Sequence, residues 1–358
     1  MYVVANLGAE AVWRGEPLST LATTRLAELA PLLAVLAAPG DDLVGAGTTT
    51  RATPEARGLL QQVTNVAAVP PETRGEALLA WSAAGVPARG GAAAGATWRE
   101  RLRDAPRAPE AVARVVHGRR WLADERAAGT LPPHPTSTWV TNLGGLRRAA
   151  VGAGPWVLKA PHGAAGRDRV LSTAPVAGEA TWRHAERALE LWGGGLFETW
   201  LARDDDLGAC GIVTEDAVLP GPMHRLVTGA DGRFRGIERL APAAAETPLA
   251  RALRDVLPRV GARLQAAGYR GPFGVDAYAG RDAQGSPHRV AVGEVNARLT
   301  FGHLAACLFE VAAAGGRTLQ RLVLRPALRT SLPPDAVPLV ETVDGDEVKA
   351  WLEGNDAS

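Results

Sequence analysis

The sequence predicts an α/β protein built from more than one folding unit. The chain has 358 residues, which is more than one small core accommodates. Its first hundred residues alternate short apolar runs with an Ala/Leu-rich stretch of helical pattern, and this alternation is typical of an open α/β layer. From about residue 108 a second organisation begins, in which helices and strands are joined by glycine-rich and proline-rich turns.

In the first region, the apolar runs predict strands at residues 2–5, 42–45 and 66–69, and the Ala/Leu-rich stretch predicts a helix at residues 19–38. The glycines do not form G-x-G-x-x-G after a strand, so no dinucleotide site is predicted. Residues 89–96, RGGAAAGA, have the composition of a loop that ends the region, although their alanines could equally extend a helix.

The second region is predicted to contain four helices and several strands. Helices are predicted at residues 109–128, 143–153, 177–191 and 247–267, the last with leucines at helical spacing. Strands are predicted at residues 139–141, 156–160, 196–201, 209–214, 273–278 and 290–296, with a further hairpin that turns at residues 229–232. Residues after about 332 are Pro-rich and then acidic, and no chemistry is assigned to this tail.

The composition excludes several functional classes. The 39 basic and 38 acidic residues nearly cancel, so no overall field favours nucleic acid or a membrane surface. Two cysteines without a CxxC pair fit a reducing compartment and no structural zinc site. No leader-like segment and no apolar run of transmembrane length is visible. We therefore expect a cytoplasmic protein that does not bind polyanions broadly, and its oligomeric state is not predicted.

Lysine is rare in this chain. Of the 39 basic residues, only Lys159 and Lys349 are lysine, which indicates a general bias towards arginine. A lysine that persists in the apolar stretch PWVLKAP is predicted to be needed for its compact charge on a thin stem. Lys349, in the polar tail, is interpreted as a chance remainder.

Three polar residues at alternate positions close the strand in AVGEVNARLTFGHLA. Side chains at i, i+2 and i+4 of a strand share one face, so Glu294, Asn296 and Arg298 are expected to converge. A short hairpin would bring Asp276 to the same place. Two carboxylates and an amide suit a hard cation such as Mg²⁺, with Mn²⁺ as a substitute. The alternative is a solvated hairpin with ordinary polar outward positions.

Lys159 ends a predicted strand and precedes the small-residue loop PHGAAG. Glycine lets backbone N–H groups approach phosphate oxygens closely, and the lysine can neutralise the same oxygens. No G-x-x-x-x-G-K-[ST] element is present, so the usual phosphate-loop NTPase is excluded. A connecting turn without a ligand is the alternative interpretation of this loop.

These residues together resemble a known family. The order LK with a small-residue loop, then E-x-W-L at residues 198–201, G-x-D-x-Y at 274–278 and E-x-N-x-R at 294–298 resembles the ATP-grasp superfamily of ATP-dependent ligases. The resemblance implies an ATP-grasp fold that holds the nucleotide between two lobes and is preceded by a small open α/β domain. It implies a preceding domain at residues 1–107, an ATP-grasp domain at 108–330, with lobes at 108–197 and 198–330, and a tail at 331–358.

The resemblance also implies a role for each matching residue. Those that would contact ATP are Lys159 at the phosphates, Gly163 to Gly166 over the transferred phosphate, Glu198, Trp200 and Leu201 at adenine, and Asp206 at the ribose. Asp276, Glu294 and Asn296 would hold Mg²⁺, and Arg298 would orient the acceptor carboxylate and steady the acyl phosphate. The family's second lysine is absent, and Arg119 in VVHGRRWL is the candidate replacement.

The implied activity is ligation of a carboxylate to an amine through an acyl phosphate, with release of ADP and phosphate; amino acids or peptides are possible substrates. The alternatives are a phosphotransferase of the same fold and a silent nucleotide-binding protein. His303 and His224 are candidate general bases, although a histidine that opens an apolar helix is more often a cap or packing residue. Arg225 is expected to face phosphate or solvent, and His162 to be a loop contact.

Overall fold

The structure is a computed structural model. It describes residues 1–7, 11, 13, 20–45, 49–66, 68–70, 73, 78–83, 86–91, 93, 95–163, 168–174, 177–229 and 234–354.

A parallel four-stranded sheet lies in the first part of the chain. Its elements in chain order are β1 (Tyr2–Val4), helix α1 (Thr20–Leu29) with a 3-10 continuation (Ala30–Leu36), β2 (Asp42–Val44), β3 (Thr50–Ala52), a 3-10 turn (Pro54–Ala56), β4 (Thr64–Val66) and β5 (Leu78–Ala80). The strand order is β4-β2-β1-β5 with all neighbours parallel, while β3 joins another sheet. The apolar 3-10 segment is wholly buried. The predicted open α/β layer is confirmed, although β5 was not predicted and β4 begins earlier than residues 66–69.

Helices and a small antiparallel sheet follow. They are α2 (Trp98–Arg103), α3 (Glu110–His117), α4 (Arg119–Ala127), β6 (Ser137–Val140), α5 (Leu143–Ala150), β7 (Trp156–Lys159), β8 (Arg169–Ser172), α6 (Glu179–Trp192) and β9 (Gly195–Thr199). The sheet has the order β6-β9-β7-β8, and its apolar face packs with α5 and α6 around Trp156, Leu158 and Phe197. We call this unit the small lobe.

The helix predicted at residues 109–128 is broken at Gly118. Its backbone is extended there, with φ −70° and ψ 137°. A Cβ on Gly118 would lie 3.1 Å from the Val115 carbonyl oxygen and 3.2 Å from Cε1 of His162. The glycine therefore lets the segment after β7 approach closely, and the Arg119 amide donates to the Pro161 carbonyl at 2.9 Å.

A long antiparallel sheet forms the rest of the molecule. Its elements are β10 (Ala202–Val213), β11 (Val218–Thr228), β12 (Phe234–Arg239), a 3-10 turn (Ala244–Glu246), α7 (Pro248–Ala266), β13 (Gly271–Arg281), β14 (Pro287–Asn296), α8 (Phe301–Ala314), β15 (Arg321–Val323), β16 (Ala327–Leu328), a 3-10 turn (Arg329–Ser331), β17 (Val337–Thr342) and β18 (Glu347–Glu353). The order is β14-β13-β10-β11-β12-β15-β18-β17-β3, with β16 beside β18. The predicted leucine face of α7 is buried against this sheet. We call this unit the large lobe.

The segment after residue 332, predicted to be a tail, forms strands β17 and β18 of this sheet. β17 pairs with β3, and Thr53 Oγ1 donates to the Pro338 carbonyl at 2.6 Å. Glu341, 2% exposed, forms ion pairs with Arg51 and Arg329. Lys349 lies between Glu28 at 3.0 Å and Glu347 at 2.7 Å. The two ends of the chain are therefore joined by strand pairing and ion pairs.

Within the residues that the structure describes, no helix is long and apolar enough to cross a bilayer.

Candidate nucleotide and cation site

The carboxylate hairpin forms as predicted. Asp276 on β13 and Glu294 on β14 are directly opposite each other, and Asn296 lies opposite Gly274. Asn296 Nδ2 donates to Asp276 Oδ2 at 3.3 Å. Burial and the neighbouring Glu294 raise the pKa of Asp276 to about 7, although the charge of Arg298 opposes this rise. The pair of carboxylates therefore needs a positive charge beside it.

The chemistry of this set fits Mg²⁺. Among the residues described, no cluster of three or more His, Cys, Asp or Glu side chains could hold a metal. A site built on Asp276, Glu294 and Asn296 offers two carboxylates and one amide, and Mg²⁺ commonly completes such a partial set with water and phosphate oxygens. The Glu294 side chain is 30% exposed, so solvent reaches the three residues from its side.

Arg119 supplies a positive charge to the hairpin. Its Nη2 donates to Glu294 Oε1 at 2.6 Å and to the Gly163 carbonyl at 3.2 Å, and its Nη1 donates to the Ala160 carbonyl at 2.8 Å. The residue predicted to replace the lysine of the family thus connects the hairpin to the glycine loop. Gly163 is buried at the start of that loop, and Gly166 lies outside the described residues.

Lys159 and Glu198 form a buried ion pair. Lys159 Nζ donates to Glu198 Oε2 at 2.5 Å, and Arg126 Nη1 donates to Glu198 Oε1 at 2.7 Å. Burial alone would raise the pKa of Glu198, but the Lys159 and Arg126 charges hold it well below its usual range. The carboxylate predicted to face adenine is thus bound to two cations through both of its oxygens.

Arg126 was not singled out from the sequence. It lies on α4, its side chain is 4% exposed, and it also donates to Ser137 Oγ at 2.9 Å and to the Val292 carbonyl. It therefore connects α4 to β6, β9 and β14. Its sequence context, a helical arginine among other charged residues, contains no signal that separates it from a solvated residue.

His134 is a second buried group that the sequence did not indicate. Its Nδ1 accepts the Thr136 amide at 3.2 Å, so Nε2 donates to Tyr278 Oη at 2.8 Å. Burial lowers the pKa of His134 to about 4. The imidazole is therefore neutral near pH 7 and holds the tyrosine of the G-x-D-x-Y element beside the hinge.

The predicted hinge joins the two lobes. The Trp200 amide donates to the Pro155 carbonyl at 2.9 Å, and the guanidinium groups of Arg169 and Arg203 lie 5.2 and 5.9 Å from its ring. Leu201 is buried in a small apolar cluster.

The three carboxylates of the DDD run that follows the hinge each pair with a different arginine, and Asp204 lies 3.9 Å from Arg281. Asp206 Oδ1 accepts from Arg203 at 2.6 Å. The neighbouring Asp205 forms an ion pair with Arg225. Arg225, expected to face phosphate or solvent, thus has a carboxylate partner.

Arg298 does not continue the strand. β14 ends at Asn296, and the Arg298 amide donates to the Asn296 carbonyl at 2.9 Å. The alternation argument is therefore wrong for this residue, because the backbone turns first. The guanidinium lies 5.3 Å from the Trp81 ring and donates to the Leu299 carbonyl at 2.9 Å. Its charge still lowers the pKa of Asp276.

The candidate histidine bases have structural contacts. His303 Nδ1 accepts the Thr300 amide at 3.0 Å and so caps α8. His224 packs closely against Gly208 and Gly302. Burial lowers the pKa of His303 to about 3 and that of His224 to about 4. Both groups are inaccessible, which favours packing over catalysis.

His162 stacks on His117 with ring centroids 6.2 Å apart. This is the loop contact expected from the sequence.

The two lobes, the parallel sheet that precedes them and the carboxylate hairpin define a class. The chain has the ATP-grasp fold, as its motifs predict.

Solved structures of this fold align with nearly the whole chain. The N5-carboxyaminoimidazole synthetase of Staphylococcus aureus, solved with ADP, is 10% identical over 99% of this chain and 92% of its own, with a TM-score of 0.54. The N5-carboxyaminoimidazole ribonucleotide synthetase of Thermus thermophilus is 16% identical over 100% and 94%, with a TM-score of 0.53.

A third structure has a different reported ligand set. The biotin carboxylase domain of the Hydrogenobacter thermophilus 2-oxoglutarate carboxylase, solved with MgADP, ADP and bicarbonate, is 13% identical over 98% of this chain and 85% of its own, with a TM-score of 0.52. No protein-family profile and no curated protein sequence matches the chain.

Proposed function

We propose that the protein is an ATP-dependent ligase that activates a carboxylate as an acyl phosphate and joins it to an amine. The observation that carries the proposal is the convergence of a carboxylate hairpin on the large lobe with Lys159 and Arg119 from the opposite side. Oxygen ligands and cations brought together in this way suit the polyphosphate of a nucleotide.

The residues divide the work of the first step. Lys159 and Arg119 would neutralise phosphate oxygens, and Asp276, Glu294 and Asn296 would hold Mg²⁺, which supplies charge neutralisation when bound. Arg298 would bind the acceptor carboxylate through two parallel hydrogen bonds. The carboxylate oxygen attacks the terminal phosphorus of ATP, the bond to ADP breaks, and the acyl phosphate forms.

The second step forms the amide. The amine attacks the acyl carbon, phosphate leaves with the carbon–oxygen bonding pair, and the nitrogen loses a proton to solvent. Gly163 and the loop that follows it would exclude water, which otherwise hydrolyses the acyl phosphate. Residues 1–107 would contribute to the acceptor pocket, because Trp81 lies under the Arg298 guanidinium. Trp200, Leu201 and Asp206 would contact adenosine.

Two of the comparison proteins support the nucleotide assignment, since one was solved with ADP and another with MgADP and bicarbonate. Amino acids or short peptides are the substrates that we propose, in a cytoplasmic setting. The boundaries at residues 107 and 197 are part of the same proposal.

Incubation with Mg²⁺-ATP and pooled amino acids tests the function. We expect ADP release that requires both an acid and an amine, together with a new amide mass. Glu294→Gln should abolish this turnover, and Glu215→Gln, on an exposed carboxylate whose ion-pair partner is Arg270, should not. A stable phosphorylated product would instead indicate a phosphotransferase. Bound ATP without ADP under every acceptor would indicate a silent nucleotide-binding protein.

A further inference from the structure

The ion pair between Arg119 and Glu294 links two parts of the proposed site that must separate during turnover. Glu294 is one of the two carboxylates proposed for Mg²⁺, and its Oε1 accepts a charge-assisted hydrogen bond of 2.6 Å from Arg119. Such bonds are among the strongest in proteins. A divalent cation at the hairpin would meet the positive guanidinium at a distance where like charges repel.

The surroundings hold Arg119 in place. Its side chain is 10% exposed, and two backbone carbonyls, of Ala160 and Gly163, accept from the same guanidinium. The planar fork of arginine can serve these oxygens and Glu294 together, whereas a lysine ammonium is a single point charge. The Arg119–Glu294 bond is therefore part of a built arrangement and not a chance surface pair.

We propose that the ion pair with Arg119 occupies the Glu294 carboxylate and so prevents the hairpin from binding a divalent cation before the nucleotide binds. This inference rests on the proposed function. When the polyphosphate binds, its oxygens accept the hydrogen bonds of the Arg119 guanidinium in place of Glu294. The Glu294 carboxylate is then free to bind the cation, which binds together with the nucleotide. Arg119 thus acts as an ordering residue. The two ligands then bind cooperatively, because each removes an obstacle to the other.

The consequence is an affinity for the cation alone that rises when the guanidinium is removed. We expect Arg119→Gln to tighten the binding of Mn²⁺, without nucleotide, by about tenfold, the size expected when one close charge is removed. Binding of ADP should weaken in the same variant. A role limited to packing would not increase the affinity for Mn²⁺.

The measurement is a titration of the full chain with Mn²⁺ alone, followed by electron paramagnetic resonance of the free ion or by calorimetry. Arg119→Met is a second variant that removes the charge, in case Arg119→Gln does not fold. Arg119→Lys keeps the positive charge beside Glu294, on which the inference depends, and should leave the affinity within about twofold of wild type.

Arg120→Gln is the matched control. Its side chain is 57% exposed and bonds to Asp124 at 2.9 Å, away from the hairpin. The affinity for Mn²⁺ should not change in this variant. The double variant Arg119→Gln, Glu294→Gln should lose the gain.

Unchanged or weaker Mn²⁺ binding in folded Arg119→Gln or Arg119→Met would overturn the inference, as would an equal gain in Arg119→Lys or Arg120→Gln. A gain that persists without Glu294 would also overturn it. The proposed ligase function fails separately, through the absence of ADP formation with any acceptor. Because the Mn²⁺ titration needs no turnover, the two failures are distinguishable.

Discussion

Glu198→Gln tests the buried ion-pair network at the hinge. Glu198 is 1% exposed and binds Lys159 at 2.5 Å and Arg126 at 2.7 Å. Removing its charge leaves two cations without their counter-ion, one of them with a side chain only 4% exposed. Breaking a buried pair in this way typically costs about 3–5 kcal/mol. Because glutamine keeps one acceptor oxygen, we expect a loss of about 3 kcal/mol in the free energy of unfolding.

The assay is equilibrium unfolding in urea, followed by circular dichroism. Glu186→Gln, on the exposed face of α6, is the matched control and should change the free energy of unfolding by less than about 0.5 kcal/mol. A double-mutant cycle with Arg126→Gln should show coupling between the two sites. If Glu198→Gln unfolds like the control but weakens ADP binding, the carboxylate serves the nucleotide first and our reasoning about the network is refuted.

Three further predictions concern single groups. Lys159→Ala should weaken ADP binding by about tenfold or more in a calorimetric titration, because a phosphate partner is lost; loss of stability alone would make Lys159 structural. Arg298→Ala should leave ATP binding within about twofold of wild type and slow acid-dependent ADP release at least about tenfold, and unchanged acid kinetics would contradict its role. Burial lowers the pKa of His134 from 6.5 to about 4. The part of the free energy of unfolding that His134 contributes is therefore fully present above pH 6.5 and is lost as the pH falls towards 4. The loss attributable to this group at pH 5 is about 2 kcal/mol, and His134→Gln should remove that part from urea unfolding curves at pH 7 and 5.

The hairpin could be predicted because its geometry is local. A strand alternates its side chains and a short turn fixes the pairing, so Asp276 and Glu294 had to meet once both strands formed. Arg298 failed the same reasoning because the strand stops two residues earlier, and no residue pattern marks that end.

Long-range pairings explain most of what the sequence did not indicate. β17 pairs with β3 from the first part of the chain, and β18 connects β17 to β15. The sequence of this segment indicated only a Pro-rich and then acidic tail. Arg126 likewise owes its role to three partners that lie 11, 72 and 166 residues away in sequence. Periodicity carries no information about such partners, since it describes only which face of one element is apolar.

The two lysines of this chain indicate how much room surrounds them as well as which charge is needed. Lys159 and Lys349 were interpreted differently, one as needed and one as a remainder, yet both reach carboxylates in confined positions, with side chains 14% and 11% exposed. At Glu198 one oxygen already accepts from the Arg126 guanidinium, so the partner at the other oxygen must be narrow. A thin stem with a compact ammonium meets that need better than a second planar fork. In an arginine-rich chain, a lysine therefore indicates an ion pair in a confined position. Whether the same site also binds phosphate is indicated only by the residues around it.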